Sequence, residues 1–369
     1  MNIGVNARLL LSDKMEGIAR YIYETTFRMA EAHPEDEFYL FFDRKVKLRM
    51  PFPENVHHIV VPLQARHPVL WHIWFEFMLP VYFKKYRIDV FYSGDTYLSL
   101  RSHIPALLVS HDLAYLHYPE HISSSALWHY RHYFPRYHRH AKHIVAVSES
   151  TKKDIIQQYQ ISDEKISVAG NGVTQVGTDT FMSKEEVQSR FAMGSPFFCY
   201  LGAIHPRKNI KKLIQAFELF KKQDKKNMKL LLVGRFAWKS EEIRQLVTSN
   251  PDIIHLGMLG DRDKTEILSV SEGLLYVSLF EGFGLPIIEA MAVNVPVITS
   301  NISSMAEVAG NAAVTVSPDK ADEIAEALRL LSAGGDFVEN LKKAGKERVK
   351  QFSWDKTSQH IYSCLLNIH

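Results

Sequence analysis

The sequence predicts an α/β protein of two successive Rossmann-like domains, each a doubly wound parallel sheet. Three observations carry that expectation. Short apolar runs alternate with amphipathic segments along the whole chain. The runs are continuous and β-branched rather than alternating, as in strands covered on both faces. The strand–helix pattern also runs through twice, over residues 1–175 and again over 176–352, which calls for crossover helices and parallel pairing. With 369 residues, 46% of them hydrophobic, the chain has apolar material for two cores.

In the first block the expected strands are Ile3–Asn6, Phe38–Phe42, His58–Val61, Val90–Ser93, Ala106–Ser110, Ile144–Val147 and Ile166–Val168. Amphipathic stretches at Gly17–Ala32, Val69–Lys85, Ser124–Ala141 and Ser150–Tyr159 supply helices between them. Asn171-Gly172 and Gly177 break the pattern. The second block has strands at Phe197–Leu201, Lys229–Val233, Ile253–Leu256, Leu274–Val277, Val295–Thr299 and Ala313–Val316. Its helices are expected at Lys208–Lys222, Glu241–Ser249, Asp263–Ser271, Leu285–Ala292, Ser304–Ala309 and Asp322–Leu331.

Composition excludes several classes. The formal net charge of +3 is too small to argue for nucleic acid. Cys199 and Cys364 lie in apolar runs and read as buried thiols of a reducing compartment, not as a disulfide framework. Met1–Leu11 lacks a basic start and contains Asn2, Asn6 and Arg8, unlike a signal peptide. No run of 18 apolar residues offers a membrane span. A cytoplasmic protein is expected, with peripheral contact at the cytoplasmic face of the inner membrane left open.

In parallel sheets of this kind ligands bind outside the carboxyl ends of the strands, and two such domains facing each other make a cleft there. The informative residues should therefore follow strands. Ser278 to Ala292 follows one and opens a helix. Gly282 and Gly284 allow close backbone approach to a ligand, Pro286 suits a first helical turn, and the turn's N–H groups attract an anion. Glu281 sits in the turn and Glu289 within the helix, so two carboxylates could grip different hydroxyl-bearing parts of one ligand. Between another strand and helix lie Gly202, Arg207, Lys208 and Asn209. Adjacent cations at a helix start oppose the dipole unless a bound anion compensates, and a guanidinium fork beside an ammonium suits phosphate. On this reading Arg207 and Lys208 serve binding rather than folding.

The pair of motifs, Gly202-x4-Arg207-Lys208-Asn209 and then Glu281-Gly-Phe-Gly-Leu-Pro-x2-Glu289-Ala-Met-Ala, resembles the retaining glycosyltransferases of family four, glycosyl transferases group 1, and especially their mannosyltransferase-like branch. Phe352-Ser353-Trp354-Asp355 resembles the same family, in which a last helix, here 353–369, crosses back to the first domain. Asn294 stands where that family usually has glycine; Asn tolerates the left-handed conformation glycine would supply. The resemblance implies the GT-B fold: residues 1–175 on the acceptor side and 176–352 binding a nucleotide sugar, facing across a cleft. It implies that Arg207 and Lys208 bind the donor diphosphate, that Glu281 contacts hydroxyls of the transferred sugar, that Gly202 and the backbone of Phe283, Gly284 and Leu285 face sugar and phosphate, and that Glu289 holds the ribose. Residues near Gly234, Arg235, Met258 and Leu259 would frame the base.

In the first block Gly17 opens a helix where the family has a loop over the diphosphate. Arg20 reads either as a surface residue or as an anion ligand. His111, in Val109-Ser110-His111-Asp112-Leu113, would project from a strand end near the reacting sugar. Ser148 and Asn171-Gly172 match the family's serine turn and interdomain Asn-Gly. Between Trp128 and His143 lie five histidines, three arginines and a lysine among aromatics. His138, His140 and His143 lack the spacing of a helical metal site. The stretch reads as an amphipathic helix covering the sheet or as a basic, aromatic face for an anionic membrane or phosphorylated lipid acceptor. Pro68–Tyr82 poses the same choice. Asp261-Arg262-Asp263 reads as a helix cap rather than a metal-binding pair.

The function implied is transfer of a sugar from a nucleotide-diphosphate donor to a glycan or lipid-linked saccharide, with retention, in surface polysaccharide or lipopolysaccharide synthesis. No cofactor, metal or nucleic acid is called for. The donor base (GDP, UDP or dTDP) is not legible. Rival readings are a phosphorylase or epimerase of the same architecture and a non-catalytic two-lobed sugar-binding protein.

Overall fold

A computed structural model of the chain describes residues 1–11, 17–48, 51–173, 182–237 and 240–369; Gly177 lies outside them. The chain divides into two units, Met1–Gly172 with Ser353–His369, and Val173–Phe352.

The first unit holds seven parallel strands, β1 (Asn2–Asn6), β2 (Glu37–Phe42), β3 (Val56–Val60), β4 (Val90–Ser93), β5 (Ala106–Ser110), β6 (His143–Ala146) and β7 (Ile166–Val168), in the order β3-β2-β1-β4-β5-β6-β7. Strands β4 and β5 are buried at every residue, which is why their sequences are apolar throughout rather than alternating. The helix Gly17–Ala32 turns Tyr21, Ile22, Thr25 and Met29 inward. The last helix, Trp354–Ile368, begins where Ser353 accepts the Lys356 N–H. Trp354 meets the Tyr21 ring edge-on at 5.6 Å, and Thr357 donates to the Gly170 carbonyl at 2.7 Å, so this helix packs on the first unit.

The expected Val69–Lys85 helix is broken by one wide turn. Pro68–Ile73 runs into a π turn at Trp74–Met78 and then into Leu79–Lys85. Pro80 has no N–H for the Glu76 carbonyl, and the Leu79 N–H bonds instead to Trp74, five residues back. Trp74, Phe75 and Leu79 are core, whereas Val69, Phe77 and Val81 are exposed. Pro68–Tyr82 is therefore neither wholly core nor wholly surface.

The second unit holds six parallel strands, β8 (Phe197–Leu201), β9 (Lys229–Val233), β10 (Ile253–Gly257), β11 (Leu274–Tyr276), β12 (Val297–Ser300) and β13 (Val314–Val316), in the order β10-β9-β8-β11-β12-β13. β12 starts two residues later than expected because Pro296 cannot donate to the ladder; its carbonyl accepts from Leu274 instead. Both sheets reverse their winding at one point, between β1 and β4 and between β8 and β11. A crevice for ligands lies outside the strand ends at such a point. Among the described residues no helix is long and apolar enough to cross a membrane. Cys199 and Cys364 are free and buried.

Candidate active site

The segments after β8 and β11 meet at the switch point of the second sheet. After β8 the chain passes Gly202, whose backbone lies so close to Gly234 after β9 that a Cβ on Gly234 would sit 1.9 Å from the Gly202 carbonyl oxygen. A tight 3-10 turn, Pro206–Lys208, follows, and Asn209 enters the helix Ile210–Lys221 in the left-handed conformation. The Asn209 amide donates to the carbonyls of Val277 at 3.0 Å and Pro318 at 2.7 Å, which anchors the turn against the end of β11. Arg207 and Lys208 thus precede the helix rather than open it.

Lys208 donates from Nζ to Glu281 Oε1 at 2.5 Å and to the Tyr276 hydroxyl at 2.8 Å. Arg207 donates to the Phe280 carbonyl at 3.1 Å. Glu281 is only 7% exposed. Burial alone would raise its carboxyl, but the charges of Lys208 and Arg207, with the hydrogen bond from Lys208, hold it down at about 2. It is a permanent carboxylate at neutral pH. Burial pushes the Tyr276 phenol well up, so the ring stays neutral beneath the ammonium, 5.1 Å from it. Within the chain the Lys208 ammonium is thus paired with Glu281, while Arg207 donates to a backbone carbonyl.

The turn that carries Glu281 is fastened from β12. Ser303 and Ser304 each donate to the Glu281 carbonyl at 2.7 Å, and Ser304 also reaches the Phe283 carbonyl at 3.1 Å. Phe283 is buried edge-on against Phe352. Gly284 has φ +102 and caps the helix Leu285–Ala292, a conformation that strains any residue with a Cβ. Pro286 lies in the first turn, and Glu289, the fifth residue, is half-buried. The structure therefore brings Gly202, Arg207, Lys208, Glu281, Phe283, Gly284, Leu285 and Glu289 into one unit around one switch point.

Gly17 and His111 belong to the first unit. Gly17 is exposed at the start of its helix. His111 follows β5 and gives its Nε2 hydrogen to the Gly94 carbonyl at 2.8 Å, edge-on to Tyr21. Burial lowers its pKa, so the neutral ring carries its lone pair on Nδ1. Asp95, next to Gly94, binds Asn6 at 2.6 Å and Arg8 at 3.2 Å, making one buried polar knot of the ends of β1 and β4.

Residues 182–348 match the family model described as Glycosyl transferases group 1, and residues 15–175 match that of Glycosyltransferase Family 4. The chain belongs to the group 1 glycosyltransferases. It is 26% identical over 367 residues to O-antigen chain mannosyltransferase B of Escherichia coli, spanning 94% of this chain and 95% of that one. It is also 26% identical over 302 residues to O-antigen chain mannosyltransferase RfbU of Salmonella typhimurium, over 80% and 78% of the two chains. Its fold is that of WaaG, a glycosyltransferase involved in lipopolysaccharide biosynthesis, with a TM-score of 0.75, 14% identity and 99% of both chains covered.

For this glycosyltransferase, sequence reasoning missed Tyr276, Ser303 and Ser304, and named Asn209 only as part of the motif. All four lie at or after strand ends, the position that flagged the others. The Asp261-Arg262-Asp263 string opens the helix Asp261–Val270, but Gly260 is its cap residue; Asp261 pairs with Lys264, and Asp263 lies 3.5 Å from Arg190. The histidines after Trp128 are dispersed onto separate partners. His138 bonds Phe134 and Ser110, His140 bonds Ser102, and His143 bonds Ser167.

Proposed function

We propose that the protein is a retaining hexosyltransferase that moves mannose from a nucleotide-diphosphate donor to a glycan or lipid-linked saccharide in O-antigen-type surface polysaccharide synthesis. The observation that carries this is the Arg207–Lys208–Glu281 cluster at the switch point of the second sheet. The names of the two mannosyltransferase relatives support the choice of sugar and pathway class. Residues 176–352 hold the donor, and residues 1–175 with 353–369 take the acceptor side.

Arg207 and Lys208 meet the diphosphate, aided by the backbone of Gly202, Phe283, Gly284 and Leu285 and by the N-terminal end of the Leu285–Ala292 helix. Glu281 accepts from hydroxyls of the sugar. Glu289 lies roughly 6 Å further along the helix axis than Leu285, at 1.5 Å per residue, and takes the ribose. The bond between the anomeric carbon and the leaving phosphate oxygen breaks. The acceptor oxygen bonds to that carbon on the same face, and its proton passes to the leaving phosphate oxygen. Stabilising the departing diphosphate is then the main task, and two cations with a helix N-terminus perform it without a metal ion. Glu281 is too acidic to deliver a proton at neutral pH, unlike the acid of a glycosidase pair. His111 shapes position and charge near the sugar rather than acting as an obligatory base.

The test is a panel of GDP-, UDP- and dTDP-sugars scored by thermal stabilisation, then the anomeric configuration of the product by NMR. A mannose donor should stabilise most and the product should keep the donor's configuration. Stabilisation by no nucleotide sugar, or an inverted product, would overturn the proposal.

A further inference from the structure

We propose that Trp354, the first residue of the last helix, is a positioning residue for His111 and acts on it through the Tyr21 ring. The proposal rests on the role given to His111 above and names what sets that side chain's orientation.

A hydrogen bond at one ring nitrogen leaves an imidazole able to swing about that bond. His111 donates from Nε2 to the Gly94 carbonyl at 2.8 Å. Its other constraint is a wall: the Tyr21 ring stands at 87° to it, with centroids 5.2 Å apart. A wall is only as fixed as its own supports. Tyr21 is fully buried, and its hydroxyl donates to the Ala169 carbonyl, just after β7, at 2.9 Å. Trp354 meets the same ring at 79° and 5.6 Å. Three rings, each near-perpendicular to the next, interlock in a close-packed interior. A shift of the indole therefore passes to Tyr21 and from there to the imidazole.

The indole holds its place at a cost that ordinary packing does not require. Trp354 is 2% exposed, yet among the described residues its indole N–H meets no acceptor. A buried donor without a partner lowers stability, and a phenylalanine or leucine here would avoid it. The backbone also makes room for the ring. A Cβ on Gly172 would lie 2.2 Å from the Trp354 backbone nitrogen and 2.5 Å from its Cγ. One turn into the helix, the bond from Thr357 to the Gly170 carbonyl holds the helix start against the same segment. A placement that gives up a hydrogen bond and demands a glycine marks a position where geometry outweighs stability.

The surroundings of His111 make its placement measurable. Burial lowers its pKa, against the Gly94 carbonyl and the charges of Asp112 and Asp95, which raise it. Displacing Tyr21 admits water and should bring the midpoint up toward 6.5.

The experiment is NMR of the full chain with isotope-labelled histidine, the His111 signals being assigned by their loss in His111→Gln. Trp354→Leu should shift those signals and raise the titration midpoint. It should also lower kcat roughly ten- to a hundredfold, with KM for the donor chosen by the nucleotide-sugar panel held within about twofold. Gly172→Ala, which keeps the indole but crowds it, should act in the same direction. Tyr362→Phe is the control, because Tyr362 anchors the same helix by donating to Asp36 at 2.6 Å. Losing that bond should leave the His111 signals and kcat alone. If Trp354→Leu does not fold, Trp354→Phe, which keeps a buried ring but not its span, must still move the signals. Unmoved His111 signals in the folded variants, or equal changes in Tyr362→Phe, would overturn the proposal. Moved signals with unchanged kcat would uphold the placement by Trp354 and overturn the role given to His111 in sugar transfer.

Discussion

Breaking the Lys208–Glu281 pair from either side should destabilise the protein, while its effect on nucleotide binding should differ in sign between the two sides. Both side chains are largely buried and 2.5 Å apart. The fall of the Glu281 carboxyl from 4.5 to about 2 corresponds to ~3 kcal/mol favouring the charged form in the fold, at 1.36 kcal/mol for each tenfold. Removing one partner of a buried pair costs about 3–5 kcal/mol, mostly for the charge left behind. Glu281→Gln and Lys208→Met should therefore each cost about 3 kcal/mol. The double variant, with neither charge, should recover most of that. Lys208→Met should weaken a bare nucleoside diphosphate at least about tenfold, since a charge-assisted contact contributes roughly 1.5–3 kcal/mol. Glu281→Gln should leave that affinity unchanged or raise it, because the ammonium loses its competing carboxylate. Urea denaturation of the four proteins of this double-mutant cycle, with calorimetry using the nucleoside diphosphate, measures both quantities. Additive stability effects, or weaker nucleotide binding by Glu281→Gln, would refute the reasoning.

Glu289→Gln should weaken nucleoside diphosphate and intact donor alike, raising KM with kcat little changed; steady-state kinetics with calorimetry check it. Activity in EDTA should equal activity with magnesium, and a loss restored by manganese would return Asp261 and Asp263 to consideration as ligands. Burial lowers His138 to about 4 from 6.5 in the unfolded chain. The unfolded chain thus takes up the proton first, and stability present above pH 6.5 is lost as pH falls toward 4, by up to about 3 kcal/mol. His138→Gln should flatten that part of a urea-stability profile against pH.

Strands and crossover helices were legible because a parallel sheet covered on both faces writes itself as unbroken apolar runs; β4, β5, β8 and β9 need no partner to be recognised. Helices with few buried residues were not. Lys184–Phe191 buries Val187 and Phe191, and Asp336–Val349 buries Val338, Leu341 and Gly345, too sparse a stripe to stand out from a charged loop. The π turn at Trp74–Met78 depends on a proline that reads locally as a helix start. At the site, the motif residues were legible because glycines and paired charges at strand ends are unusual. Their supports were not. Asn209 was named in the motif but its anchoring contacts were not foreseen; Tyr276, Ser303 and Ser304 lie at two other strand ends, and spacing along one chain does not reveal which ends meet. The pairing of Lys208 with Glu281 was not legible either, since Glu281 lies 73 residues away along the chain.

That counter-charge changes how the site divides its work. Separate roles, cations for phosphate and Glu281 for sugar, would let each be altered alone. With Lys208 bonded to Glu281, a substitution at either position moves the other's charge balance, and stability moves with it. Arg207 and Lys208 therefore do not serve binding alone, as the sequence suggests; removing Lys208 leaves a buried carboxylate uncompensated. If the site transfers sugar as proposed, the coupling also has a catalytic consequence. As the sugar's bond to phosphate lengthens, negative charge grows on the diphosphate and positive charge on the sugar. An ammonium and a carboxylate in contact meet those two changes from one fixed dipole, with no reorganisation at the moment of reaction. Loss of Glu281 should then appear in kcat rather than in donor KM, because the dipole is fully used only when the charges have separated.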